Sequence, residues 1–443
     1  MIGLKIGQQG AITMDAAGEK SGLIDQWAVR ASRGFRALQV ANYRLFWLSQ
    51  LISQTGSWMQ ATAQAWLVLQ ITASPLPLGV VTALQFLPMM LLSLFGGVLA
   101  DRLPKHRVLL TTQTAALVQA VIFGTLVATG TIQLWHIYIL AVFSGIINAI
   151  DNPVRQAFVV ELVGPDHLVN AVSLNSMLFN GARIVGPALA GIVIAQAGIA
   201  PVLFLNAISF IAVLAGLLKL DPAAFFAVPA RAHGPVKQRL QEGLSYSWHT
   251  PEVLTIMIVV ASIGTFGYNF SVLLPLLGGF VLRTDAAQFG MLSAFLGAGS
   301  LMAALTTAYA GKATMPRLFA GAMGFSVLLA ALALSTNFAL SGALLVALGF
   351  AGIIFATSAN TLLQLQVPGN LRGRVMSLYV LLFAGTTPIG GFFIGALSNR
   401  VGVSLTVLAC AGLCLAGVTG ALLYHRATCA LPTLVDEDMA VAG

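Results

Sequence analysis

Charge is what this chain lacks. Of its 443 residues, 8% are Asp, Glu, Lys or Arg, while 58% are hydrophobic. Soluble domains carry about 25% charged residues. So little charge cannot cover a wholly aqueous surface, and most of the exterior has to face lipid. Cysteine is scarce as well. Cys410, Cys414 and Cys429 form neither a disulfide framework nor a metal-ligand pattern. The first two lie one helical turn apart in an apolar run and read as small packing residues. The six histidines include no pair at metal-ligand spacing. A Gly-rich phosphate loop ending in Gly-Lys-Ser/Thr, a Gly-x-Ser-x-Gly elbow and a His-Glu-x-x-His helix are all missing. These absences argue against an ATP-driven pump and against an enzyme of those classes. No cofactor and no metal are expected. The net charge of +8 is spread over many short segments, not one patch, which excludes a nucleic-acid partner. Residues 1–44 have no apolar core or cleavage site of a secretory signal.

What the chain has in abundance is apolar runs. Twelve stand near 46–71, 77–100, 108–129, 134–154, 171–196, 200–220, 253–278, 286–310, 316–335, 338–365, 375–398 and 402–424. Each is close to the roughly 20 residues that cross a bilayer as helix. In lipid a spanning segment satisfies its own backbone hydrogen bonds, so helices are expected. The fold class is an all-α membrane protein, with twelve transmembrane helices in two pseudo-symmetric six-helix bundles. The 45 glycines suit close helix–helix contact.

Five segments follow. Residues 1–45 form an N-terminal tail in which Arg30, Arg33, Arg36 and Arg44 mix with Trp, Phe and Leu. That mixture suits either an amphipathic surface segment or a partly disordered leader. Residues 46–220 form the first bundle. Residues 221–252 form a linker containing Pro222, Pro229, Pro235 and Pro251, in which Leu240, Leu244 and Trp248 recur at helical spacing. They mark a short helix lying in the membrane interface. Residues 253–425 form the second bundle and 426–443 a C-terminal tail. With both termini placed inside, only Arg283 and Arg400 of the 22 Lys and Arg fall outside, and Arg183 falls within a span. The positive-inside rule therefore places both tails and the linker in the cytoplasm.

The halves repeat weakly. Leu162-Val163-Gly164-Pro165 aligns with Gln366-Val367-Pro368-Gly369, which brings Gly186 onto Gly390 and Gly191 onto Gly395. In a second register Gly79 meets Gly290, and Asp101 meets Lys312. Such internal symmetry points to a two-bundle transporter.

Between the second and third runs lies Gly97-Val98-Leu99-Ala100-Asp101-Arg102-Leu103-Pro104-Lys105-His106-Arg107. Gly97, Asp101, Arg102, Lys105 and Arg107 resemble the helix 2–3 loop signature of the major facilitator superfamily. Pro104 stands where that family usually has Gly. Gly186-Pro187 followed by Ala190-Gly191 resembles the antiporter motif of the superfamily's exporters, with Ala190 replacing a Gly. As a simpler alternative, these four residues form a kinked packing helix. Gly56-Ser57-Trp58-Met59-Gln60, Asp151-Asn152-Pro153-Val154-Arg155-Gln156 and the 175–191 run are similar to the exporter branch that includes the enterobactin exporter and macrolide efflux proteins. The resemblance covers about residues 40–425.

That resemblance implies secondary export of an amphipathic small molecule, siderophore-like or antibiotic-like, by alternating access. It implies a bacterial cytoplasmic membrane, and protons as coupling ion are an inference from family alone. Trans-envelope export partners stay open. A lipid or lysolipid transporter is the alternative within transport, and a membrane receptor or scaffold the alternative outside it. The resemblance also implies a cytoplasmic latch built on Asp101 with Gly97, Arg102, Lys105 and Arg107, with Arg155 sharing its network. A loop ion pair that only sets topology is the plainer reading.

Helix 1 carries Gln54, Ser57 and Gln64 on one face with Gln60 beside it. Glutamines are costly against lipid, so this face looks onto a cavity or another helix. In the superfamily, helices 1, 4, 7 and 10 line the central cavity. By resemblance Asn148, Tyr268, Asn269, Thr357 and Asn360 are candidate partners. Arg183 is the one fixed charge expected deep within a span, with no mid-span acid to neutralise it. It either favours an anionic or polyphenolic cargo or is satisfied by amides such as Asn148 or Asn180.

Overall fold

The computed structural model describes residues 35–226, 236–310 and 313–429; the side chains of 93–102, 236–240, 308–310, 370 and 429 fall outside the described part. Most of the N-terminal tail, residues 227–235 of the linker and most of the C-terminal tail also lie outside it. Among the described residues the regular structure is helical, with no strand.

In the first half α1 spans Ala41–Thr72, α2 Pro75–Arg102 and α3 Lys105–Ala128. The segment Leu134–Ala197 is helical over 64 residues except at Gly164, whose φ is 67°. A straight helix of that length would measure about 96 Å at 1.5 Å per residue. The chain instead turns back at Gly164. Phe46 packs edge-on against Phe158 and Gln50 bonds Arg155, so one arm runs antiparallel to α1. Trp47 donates to the Leu174 carbonyl and Trp58 packs on Phe179, so the other arm runs parallel to it. The arms are α4, residues 134–163, and α5, residues 165–197. A positive φ is a conformation that glycine adopts without a Cβ penalty. Helix α6, Ile199–Leu218, completes this half.

The linker contains α7, Val236–His249, as its helical spacing anticipates. Leu244 is 57% exposed and Trp248 68% exposed, while Gly243 lies against Arg374. The helix thus seats a small residue on the bundle and turns bulky apolar groups outward.

In the second half α8 is Pro251–Ser262 and α9 is Phe270–Leu276. They are joined by a wide turn, Ile263–Gly267, and by the non-helical Tyr268 and Asn269. Then follow α10 (Ala286–Ala310), α11 (Met315–Leu334), α12 (Phe338–Gln366), α13 (Gly369–Phe383), α14 (Thr387–Val401) and α15 (Val403–Cys429). Among the described residues, ten helical segments are long and apolar enough to cross a membrane. Helix α1 is not among them, because its glutamines dilute its apolar surface. Cys410 and Cys414 are fully buried in α15, as their spacing anticipates.

The weak repeat has a geometric counterpart. Gly186 of α5 packs against Thr55 and Trp58 of α1, and Gly390 of α14 packs against Thr265 and Asn269. Helices α5 and α14 both end on left-handed glycines, Gly198 with φ 85° and Gly402 with φ 88°. The two halves meet far from α7, at the opposite ends of their helices. There Gly79 of α2 abuts Gly391 and Gly395 of α14, and Gly290 of α10 abuts Pro187 and Gly191 of α5. Ser74 bonds Asn399 at 2.9 Å, and Trp66 stacks on Phe289 with ring centroids 5.3 Å apart.

Candidate functional site

Inside the first half lies a polar cavity of about 110 Å³. Gln54, Ser57, Gln60 and Gln64 of α1 line it together with Asn148 and Arg155 of α4. The glutamine face therefore looks inward, as its periodicity requires. Gln60 donates to Gln119 of α3 at 3.2 Å and accepts from Asn206 of α6 at 2.8 Å. Gln64 faces Gln85 of α2 at 3.5 Å. Asn148 donates to Ser144. The described wall is drawn from the first half alone: no residue of α8 to α15 lines this cavity.

The floor of the cavity holds an acid. Asp151 is 1% exposed. Its Oδ1 accepts from Thr112 Oγ1 at 2.7 Å and Gln113 Nε2 at 2.8 Å. Its Oδ2 accepts from Arg155 Nε at 2.8 Å, and Arg155 also donates to Gln50 of α1. Sequence reasoning assigns Asp151 to the end of a span and finds no acid deeper in. In the structure α4 continues as helix beyond Asp151 to 163, and this turn packs against α1 and the first turns of α3. The signal was present in the i, i+4 spacing of Asp151 and Arg155, which pairs opposite charges on one helix face.

Tyr268, Asn269, Thr357 and Asn360 stand apart from this cavity, in the second half. Tyr268 sits where the seventh apolar run is broken, between the wide turn and α9. Its ring lies 4.8 Å from Phe383, 5.2 Å from Phe270 and 5.9 Å from Phe325, centroid to centroid. Tyr379 stacks on Phe383 in the same cluster, and its hydroxyl donates to the Ala356 carbonyl at 3.5 Å. Asn360 accepts from Gln364 at 2.6 Å. Thr357 bonds back to the Ile353 carbonyl. Asn269 is buried, donates to the Thr265 carbonyl at 2.7 Å and leaves its own side-chain oxygen without a protein partner.

Arg183 joins the two halves. This α5 residue lies close enough to Tyr268 for the guanidinium charge to bear on the tyrosine hydroxyl. The amides expected to hold it have other partners: Asn180 bonds the Ser176 carbonyl and Asn148 bonds Ser144. Pro187, one turn on, has no N–H for the Arg183 carbonyl and so loosens α5 at this level. A cation held at a break in a facing helix, beside an aromatic cluster, has the chemistry to receive an anionic or phenolic group.

The antiporter-like residues form a two-sided contact. Gly186 faces α1, while the Pro187 carbonyl and Gly191 face α10, and Ala190 is fully buried between them. Of the expected latch residues, the side chains of Lys105, Arg107 and Arg155 are described, and each has a different setting. Gly97, Asp101 and Arg102 lie on the last turns of α2, and their side chains fall outside the described residues. Lys105 pairs with Glu161 of α4 at 2.6 Å, Arg107 is exposed, and Arg374 of α13 pairs with Glu242 of α7. Pro104 needs no left-handed turn: with φ −59° it precedes α3, and its carbonyl accepts from Arg107 and Val108.

A family model described as "Transmembrane secretion effector" matches residues 32–442. The staphyloferrin A transporter of Staphylococcus aureus is 26% identical over 370 residues, covering 82% of this chain and 91% of that one. The multidrug efflux pump Tap of Mycolicibacterium fortuitum is 27% identical over 378 residues, covering 82% and 91%. The enterobactin exporter EntS of Citrobacter koseri is 25% identical, covering 80% and 85%. In fold, the chain resembles a bacterial homologue of the human lysosomal transporter Spinster in an inward-facing, unoccupied conformation. That match has a TM-score of 0.71 at 12% identity and covers 87% of this chain and 97% of that one. The chain belongs to the transmembrane secretion effector family of major facilitator superfamily transporters.

Proposed function

We propose that this protein exports an amphipathic small molecule, siderophore-like or antibiotic-like, across a bacterial cytoplasmic membrane by alternating access driven by the proton gradient. The observation that carries the reading is the pair of matched contacts between the halves, Gly79 with Gly395 and Gly290 with Gly191. Two similar bodies touching through small residues at one end form a fulcrum on which they rock. The names of the relatives supply the cargo classes. In this reading the chain crosses twelve times. The reversal at Gly164 divides one of the ten apolar segments into two passes, and α1 adds another. Both termini and α7 lie in the cytoplasm, the side to which the cations belong.

The cargo meets Arg183, Tyr268 and Asn360 at the centre. Asn180, Asn269, Thr357 and the glutamine cavity serve as neighbouring polar surface. Everted vesicles supplied with a fluorescent dye or a catecholate siderophore test the proposal. Accumulation that rises with an imposed proton gradient is the expected result. Binding without accumulation would leave a receptor, and selective movement of lysolipid would favour the lipid-mover alternative.

A further inference from the structure

We infer that Asp151 is the carboxylate that binds the coupling proton, with Arg155 as the group that reports its charge state to α1. The inference rests on the transport reading and deepens it, since proton-driven export needs a protonatable group inside the membrane. The setting is a built one. Asp151 is buried, both of its oxygens are engaged, and four hydrogen-bond donors reach it from two helices. Asp151 and Arg155 are the only charged groups among the described residues lining the cavity. The neighbours on every other wall are neutral: Gln50 and Gln54 on α1, Gln85 on α2, Thr112, Gln113 and Gln119 on α3, and Asn206 on α6. Gln113 Oε1 and Gln119 Nε2 are buried without a protein partner. A polar space of about 110 Å³ with unpaired donors and acceptors is the kind that holds water. Such water connects the acid to the exposed flank of Arg155.

The step is a simple proton transfer. A hydronium ion arriving through this water gives its proton to Asp151 Oδ2 and leaves a neutral water, and the carboxylate becomes a neutral acid. Oδ1 keeps its bonds from Thr112 and Gln113. Arg155 keeps its charge, because arginine does not shed its proton in proteins, but it loses its counter-ion. A guanidinium only 21% exposed is disfavoured without a counter-ion, and its remaining partner is Gln50. Protonation on α4 is thereby felt by α1, the helix against which Gly186 of α5 packs. Release of the proton restores the pair.

Purified protein in detergent or lipid, titrated under infrared difference spectroscopy, reads the site without any cargo. A carbonyl band of a neutral carboxylic acid should grow as pH falls in the wild type and vanish in Asp151→Asn. A band that survives this substitution overturns the assignment. Thr112→Val, which removes one bond to the charged form, should move that titration to higher pH. An unmoved titration also overturns it, and this second variant serves should the first not fold. In everted vesicles with ethidium as probe, Asp151→Asn should lose gradient-driven accumulation to the level of empty vesicles yet keep counterflow exchange. Asp151→Glu should recover the accumulation. Undiminished gradient-driven accumulation by Asp151→Asn refutes the coupling role. A wild type that moves no probe but shows the Asp151 band sinks the transport reading and leaves the proton site standing.

Discussion

The Cα of Gly395 lies 2.9 Å from where a Cβ on Gly79 would stand, so the two halves of the molecule touch backbone to backbone. The equivalent contact, Gly290 against Gly191, places a Cβ 3.1 Å from the opposing Cα. No side chain fits either place without parting the helices. Gly79→Val should lower stability by about 1–3 kcal/mol, the usual cost of overpacking, and should cut efflux at equal expression. Gly412→Ala is the control, since nothing lies within 4 Å of its added carbon. Thermal melting in detergent compares them, and equal melting temperatures would mean the contact yields freely.

Arg183 and Tyr268 give a second test. Tyr268→Phe removes the hydroxyl on which the guanidinium charge bears. A structural role predicts a lower melting temperature for this variant and for both Arg183→Lys and Arg183→Gln. A cargo role predicts folded proteins in which Lys keeps more transport of an anionic probe than Gln. Wild-type efflux of that probe by Arg183→Gln would remove Arg183 from the cargo site.

The linker helix is expected at the lipid headgroups. Trp248 is exposed one turn from the exposed Leu244, the arrangement of an interfacial amphipathic helix. Brominated lipids should quench more emission in the wild type than in Trp248→Phe. Equal quenching would place α7 in water.

Topology is open to labelling. Single cysteines at Lys237 and Arg102 should react with an impermeant reagent only from the cytoplasm, and one at Arg400 only from outside. Reaction of the Arg102 site in intact cells would reverse the proposed orientation.

Asp101→Asn tests the expected latch. Insertion should be normal and efflux much reduced, because the carboxylate that would close the cytoplasmic side is neutralised. Glu242→Gln is its partner experiment, since Glu242 holds Arg374 in this structure. As a partly exposed pair, this bridge should contribute no more than about 1 kcal/mol to stability. Unchanged efflux in Asp101→Asn would leave this residue a topological role only.

The helices were legible because lipid makes apolar length a direct signal. The run expected at 338–365 is Phe338–Gln366, and that at 200–220 is Ile199–Leu218. The stretch 155–170 falls between two of the expected runs, yet it is helical on both sides of Gly164. Its Arg155, Glu161, Asp166 and His167 look like a solvated turn, yet Arg155 and Glu161 are paired with Asp151 and Lys105 and remain helical. Polarity predicts exposure only where partners are lacking. The glutamine face was legible from spacing, and its confinement to one half was not, since periodicity gives a direction and no neighbour. The meeting of Arg183 with Tyr268 joins segments whose proximity depends on how two bundles dock, and one helix carries no record of that.

The glutamines of α1 bear on how the protein is made. Gln60 finds its partners only on α3 and α6, which emerge from the ribosome later. Until then the first helix presents unsatisfied amides and enters a bilayer poorly by itself. The insertion machinery has to retain α1 until α6 arrives, so the first half is assembled as one unit. A nascent chain halted before Ile199 should remain crosslinkable to the translocon through α1, and one extended beyond Leu218 should be released.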